Sequence, residues 1–182
     1  MKSSGKKNYE ILFFVLVFSV LAFAGMYLRK FTGGTGIQIG DPFVLLSGFF
    51  LGPFAGVLTG VLASALSMYA AGIPLSLTAI PAIVAAGLAG LISGMLFRRG
   101  AKGVDLKVKC GLCGAVAEFV SIAAGLFISV PLSFAAGAGG AVMPFGGSIL
   151  GLFVTAVLAI AAAAVLYPVL EPHVNKREHL KV

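Results

Sequence analysis

Long apolar stretches alternate with short polar or glycine-rich links along this chain. The stretches are more continuous than the apolar face of a soluble helix, and the first is about long enough to cross a bilayer. We therefore predict an all-α membrane protein, a six-transmembrane-helix bundle that forms a single domain over residues 1–182. The predicted helices cover residues 11–28, 42–51, 53–71, 80–97, 110–128 and 144–170.

The most apolar part of the pattern is a hairpin of two short helices between Ile37 and Ala71. Gly52-Pro53 forms the elbow between the two helices. Pro42 suits the first position of a helix, and Asp41 precedes it, where a carboxylate accepts free backbone N–H groups. The pattern leaves two interpretations of Asp41 open, a helix cap or a ligand at the mouth of the hairpin.

Proline and glycine residues predict where helices end in the second half of the chain. A Gly/Ala-rich loop containing Pro131 is predicted over residues 129–143, and Pro172 is predicted to stop the sixth helix. Small residues recur at helix-contact spacing, which favours packing within the bundle over dimerisation. These G-x-x-x-G pairs are Gly56 and Gly60, Gly90 and Gly94, and Gly147 and Gly151.

The formal net charge of +7 is distributed by side of the membrane. With both termini inside, an N-in/C-in topology, eleven of the thirteen Lys and Arg residues lie inside and only Arg29 and Lys30 lie outside. This bias accounts for the charge, so no nucleic-acid partner is expected. The same topology puts Asp41 and the loop 129–143 at the outer face.

No catalytic constellation is visible, and we predict no enzyme, no cofactor and no metal site. Both histidines, His173 and His179, lie in the polar tail, and no G-x-x-x-x-G-K-[ST] phosphate-binding loop occurs. Cys110 and Cys113 form a lone C-x-x-C. At the start of a membrane helix, small apolar packing is favoured for them over a redox or metal role.

One carboxylate, Glu118, falls in the middle of a predicted span. Such a group costs at least ~2.5 kcal/mol to insert, so it normally faces a partner or a wet cavity. Gly114 and Ser121 lie on the same helical face, as do Gly111 and Gly125. The favoured interpretation is a cavity lined by Glu118, and the alternative is a protonated Glu118 bonded to a neighbouring helix.

The predicted sixth helix begins at Pro144, and its free N–H groups near Ser148 could hold an anionic or carbonyl group. Tyr69 and Thr78 either line the same outer cavity or serve as interfacial and loop residues. The candidate substrate-binding residues are Asp41, Tyr69, Thr78, Glu118, Ser121, Pro144 and Ser148.

The I-x-I-G-D run ending at Asp41, the run Leu45-Leu46-Ser47-Gly48 and the elbow Leu51-Gly52-Pro53 resemble the substrate-binding S components of energy-coupling factor (ECF) vitamin transporters. The resemblance implies a multi-pass plasma-membrane bundle that captures a vitamin or related small micronutrient near its outer face. It also implies partners, a transmembrane T subunit and two cytoplasmic ATPases.

A LytS-type membrane sensor domain that binds a small ligand is the alternative, because its hairpin and Pro-started last helix look similar. The short polar tail after the last predicted helix favours transport. A structural membrane subunit is a third interpretation, with Asp41 only a cap and Glu118 only a packing contact.

Overall fold

A computed structural model describes residues 3–28, 39–72, 79–100, 103–135 and 149–175. These residues form helices and their connecting turns, with no strand among them. In chain order the helices are α1 (Ser3–Leu28), α2 (Asp41–Leu51), α3 (Pro53–Ala70), α4 (Ile80–Arg99), α5 (Leu106–Ala135) and α6 (Ile149–Asn175). The prediction of an all-helical protein is confirmed.

Three helices extend well past an end that the sequence pattern predicted. α5 runs through Pro131 to Ala135, where a loop was expected, and α6 runs through Pro168 and Pro172 instead of stopping at Leu170. A proline removes one backbone hydrogen bond, but the low polarity of a membrane favours keeping all the others, so the helix continues. α1 begins at Ser3, before the apolar run starts. The predicted start of the sixth helix at Pro144 lies outside the described residues.

Five of the six helices are long and apolar enough to cross a membrane. α2 is the exception, because its 11 residues extend only about 16 Å against a hydrocarbon core of about 30 Å. α2 nevertheless contacts every other helix, and the others are adjacent in the order α1, α3, α4, α5, α6 around it. The shortest helix is therefore the centre of the bundle, and its apolar residues Val44, Leu45 and Leu46 are almost completely buried.

Glycines allow α3 and α4 to approach closely. A Cβ on Gly56 would meet the backbone of Gly90, a Cβ on Gly90 would meet the backbone of Gly56, and one on Gly60 would meet Ala86. This confirms that the first two predicted glycine pairs serve packing within the bundle. Gly147 of the third pair lies outside the described residues.

The connection from α2 to α3 lies at the end of the bundle where α4 ends and α5 begins, which we call the basic end. Gly52 adopts a φ of +101°, which glycine tolerates, and the Arg98 guanidinium lies against it. Arg98 Nη2 donates a hydrogen bond to the Leu51 carbonyl at 3.2 Å. The cation thereby satisfies one of the carbonyls left free at the end of α2.

An aromatic cluster fixes the other helices at the basic end. The Phe50 and Tyr167 rings stack at 4.4 Å, the Phe49 and Phe97 rings lie 4.8 Å apart, and Lys109 Nζ lies 4.6 Å from the centre of the Phe97 ring. This cluster holds the end of α2 against α4, α5 and α6. α2 therefore begins further inside the bundle, where Gly40 packs against Ala22 and Met26 of α1.

Candidate functional site

Glu118 is buried in the interior of the bundle, near the middle of α5. It is 5% exposed, and its Oε1 atom has no hydrogen-bond partner among the described residues. A buried carboxyl group without a partner is costly, and the cost is greatest in a membrane. Among the described residues, this atom and Ser19 Oγ are the buried side-chain atoms without a partner, and only Glu118 Oε1 belongs to a carboxyl group.

The face of α5 that carries Glu118 is small and polar, as its spacing predicted. Gly114, Ser121 and Gly125 are buried on the same side, and Gly111 is half-buried. Ser121 is 4% exposed, and its Oγ donates to the Glu118 backbone carbonyl at 2.9 Å. The Ser121 hydroxyl therefore lies beside Glu118 without occupying the carboxylate.

The start of α2 brings Asp41 to the same depth as Glu118. The position that a Cβ would take at Gly114 lies 3.5 Å from Leu45 Cδ1, so this face of α5 contacts α2. The two helices run in opposite directions. Glu118 lies one turn after Gly114 in α5, and Asp41 lies one turn before Leu45 in α2, so both are displaced in the same direction from this contact. The two carboxyl groups consequently lie at a similar depth in the bundle.

Asp41 is the first residue of α2, and the N-cap position belongs to Gly40. Asp41 therefore lies one position inside the helix, and its role as a cap or as a ligand stays a prediction. Its negative charge in the first turn is still favourable for the helix dipole. The Asp41 side chain is half-buried, so the same carboxylate can stabilise the start of α2 and face the interior of the bundle.

α6 closes the other side of this region. Ile160 Cγ1 lies 3.6 Å from the Cβ position at Gly114, so α6 faces the same surface of α5 as α2 does. Thr155, which is 4% exposed, lies on the buried side of α6 with Leu152 and Ala159. Sequence reasoning missed Thr155, although it is the single polar residue between Gly151 and Tyr167.

The structure does not bring all the predicted residues together. Tyr69 is 77% exposed near the end of α3, so its ring is not packed with Asp41, Glu118 and Ser121. Thr78, Pro144 and Ser148 lie outside the described residues. The helix ends that flank them are at the end of the bundle opposite the basic end.

Cys110 and Cys113 are free and buried, with Cys110 in the apolar core. Within the described ranges, no group of three or more His, Cys, Asp or Glu side chains could hold a metal ion. The cysteines thus lie where small packing residues are expected, and Cys110 and Cys113 precede Glu118 by about two turns and about one and a half turns of α5.

The fold defines a multi-pass membrane protein with a buried acidic region in its interior. Residues 12–171 match the family model described as "ECF transporter, substrate-specific component". The chain belongs to this family, and it is a membrane subunit for substrate capture in transport. No curated protein and no solved structure matches the chain. The family match supports the S-component interpretation over the LytS-type sensor.

Proposed function

We propose that this protein captures a vitamin or a related small micronutrient at the outer side of the plasma membrane. In this proposal the whole chain is one domain that passes the membrane six times, N-in/C-in, with α2 as a short central pass. A transmembrane T subunit and two cytoplasmic ATPases provide the energy. Membership of the substrate-specific family supports the general role.

The observation that carries the proposal is the buried, unpartnered Oε1 of Glu118. A packing role would be expected to leave that atom bonded to a neighbouring helix, because an unsatisfied buried acceptor costs about 1–3 kcal/mol. Among the described residues no such bond exists. A ligand that donates to Glu118 would remove this cost on binding.

Ligand contacts are assigned to Asp41, Glu118 and Ser121, with Thr155 added from α6. Tyr69, Thr78, Pro144 and Ser148 remain candidates on the segments at the end opposite the basic end. These segments adjoin the helix ends through which a ligand would reach Glu118 from outside. We propose neither a metal nor a catalytic step.

Energisation by partners agrees with the sequence, which contains no phosphate-binding loop of the G-x-x-x-x-G-K-[ST] type. Transport then requires that the interior site be exposed alternately to the two sides. Differential contacts of the T subunit with the two states would provide the coupling free energy.

Co-purification tests this function. The chain is tagged, produced at its native level, cross-linked in the membrane and isolated in mild detergent. We expect mass spectrometry to identify a T subunit and two ATPases, absent from a control purification of an unrelated tagged multi-pass protein. Isolation with a histidine kinase, and without ATPases, would contradict the proposal and support a sensor.

A further inference from the structure

The charge of the interior site restricts what it can bind. Two carboxyl groups lie where α2 faces α5, Asp41 in the first turn of α2 and Glu118 one turn after Gly114 in α5. A carboxylate has acceptors only, and each oxygen bonds best to a positively charged donor. An anionic ligand would be repelled by the negative charge that this pair carries, and the repulsion is strong in a region of low polarity.

The described cations of the chain are far from this region. Lys6 and Lys7 lie at the start of α1, and the others lie at the end of α4 or the start of α5, all at the basic end. These others are Arg98, Arg99, Lys107 and Lys109. Arg98 contacts the Leu51 carbonyl and Lys109 lies over the Phe97 ring. No described cation therefore neutralises Glu118.

We infer that Asp41 and Glu118 select a substrate that carries a positively charged nitrogen with N–H groups, and that Glu118 Oε1 accepts a hydrogen bond from it. The inference rests on the proposed capture function and names its substrate class. A protonated amine, an amidinium or a protonated amino-heterocycle meets this requirement. Ser121 and Thr155 provide hydroxyl groups for neighbouring polar atoms of the same ligand.

The test identifies the small molecules released from the wild-type protein after growth in rich medium and purification in mild detergent. We expect about one compound per chain, with a positive charge at pH 7 on a nitrogen that bears hydrogen. An anionic or neutral compound would overturn the inference. This result requires no variant, so it does not depend on whether a substitution is tolerated.

Variants then locate the contact. Glu118→Gln keeps the shape but removes the charge, and we expect it to retain the compound at about one-tenth of the wild-type occupancy or less. Asp41→Asn should show a smaller loss. Glu10→Gln makes the same kind of change near the start of α1 and should retain full occupancy. Gel filtration and the thermal midpoint report whether each variant is folded, and a folded Glu118→Gln with full occupancy would contradict the inference.

Arg29 and Lys30 lie outside the described residues. A double variant, Arg29→Gln with Lys30→Gln, tests whether either cation pairs with Glu118. Retention of the compound is expected. A loss equal to that of Glu118→Gln would show that a cation of the chain pairs with Glu118, and the inference would fail.

An anionic compound found together with the T subunit and ATPases would leave capture intact and overturn only the substrate class. An empty wild-type protein would contradict capture itself.

Discussion

A hydroxyl pair shows how single polar residues stabilise this apolar bundle. Ser47 Oγ of α2 and Thr59 Oγ1 of α3 lie 2.7 Å apart, and both side chains are completely buried. In a membrane each hydroxyl lacks water as an alternative partner. The bond therefore ties the central helix to its neighbour at a defined height.

Thr59→Val tests this bond, because valine keeps the shape but leaves the Ser47 hydroxyl without its partner. We expect the free energy of unfolding to fall by about 1–2 kcal/mol. Adding Ser47→Ala should make the loss smaller than the sum of the two single losses, since no unpaired hydroxyl then remains. Denaturation in mixed micelles measures all three variants.

The control is Ser67→Ala, whose hydroxyl bonds to the Ser64 carbonyl of its own helix at 2.8 Å. Loss of that bond separates no helices, so only a few tenths of a kcal/mol are expected. If Thr59→Val costs no more than this control, the Ser47–Thr59 bond does not hold α2 to α3.

Some residues of the candidate site could be predicted from the sequence, and others could not. Glu118 could be predicted because a carboxylate is rare in an apolar run. Thr155 was missed because its own apolar surroundings in α6 gave no sign of which side faces the interior. The position of Asp41 near the start of α2 could be predicted, but its exact place in the helix depends on Gly40, which fits against α1 only without a side chain.

At the scale of elements, the contact between α3 and α4 depends on the absence of side chains at Gly56 and Gly90. Each glycine lies against the backbone of the other. Such contacts replace the hydrophobic effect, which does not drive association between helices in lipid.

Gly90→Ala should destabilise the bundle by roughly 1–3 kcal/mol, because the added methyl group must push two backbones apart. The matched control is Gly111→Ala in α5, where a Cβ would have no atom within 4 Å. That control should be neutral or more stable by up to about 1 kcal/mol, since alanine favours helix. Thermal unfolding of both variants in detergent measures the difference, and equal midpoints would disprove close packing at Gly90.

The helices themselves were predictable because each apolar run is continuous. Their ends were harder, and α5 shows the reason. Pro131 reads as a helix stop by local rules, yet the helix continues to Ala135. The helix continues because backbone N–H and C=O groups in lipid must form hydrogen bonds within the protein, and this requirement outweighs the local preference of proline to end a helix.

For the whole molecule, the central position of α2 could not be predicted. Its contacts with all five other helices come from residues distant in sequence, such as Arg98 at the elbow and Tyr167 in the aromatic cluster. The consequence is a topology in which α2 returns the chain to the basic end although it is too short to cross a membrane. The first and last described helices, α1 and α6, then both have their terminal ends at the basic end.

The orientation of this bundle in the membrane gives the last prediction. Four described cations, Arg98, Arg99, Lys107 and Lys109, lie at the basic end, so that end should face the cytoplasm. Two single-cysteine variants report the two ends after both native cysteines are changed to alanine. Lys107→Cys marks the basic end, and Ala71→Cys marks the turn after α3; both positions are exposed.

A membrane-impermeant maleimide should label Ala71→Cys on intact cells and Lys107→Cys only after the cells are made permeable. The cysteine-free parent should remain unlabelled in both conditions. The opposite pattern would place the N-terminal end of α1 and the C-terminal end of α6 outside. Glu118 would then be open toward the cytoplasm, which is incompatible with capture from outside. The expected pattern would place the start of α2, and with it Asp41 and Glu118, on the side from which a micronutrient arrives.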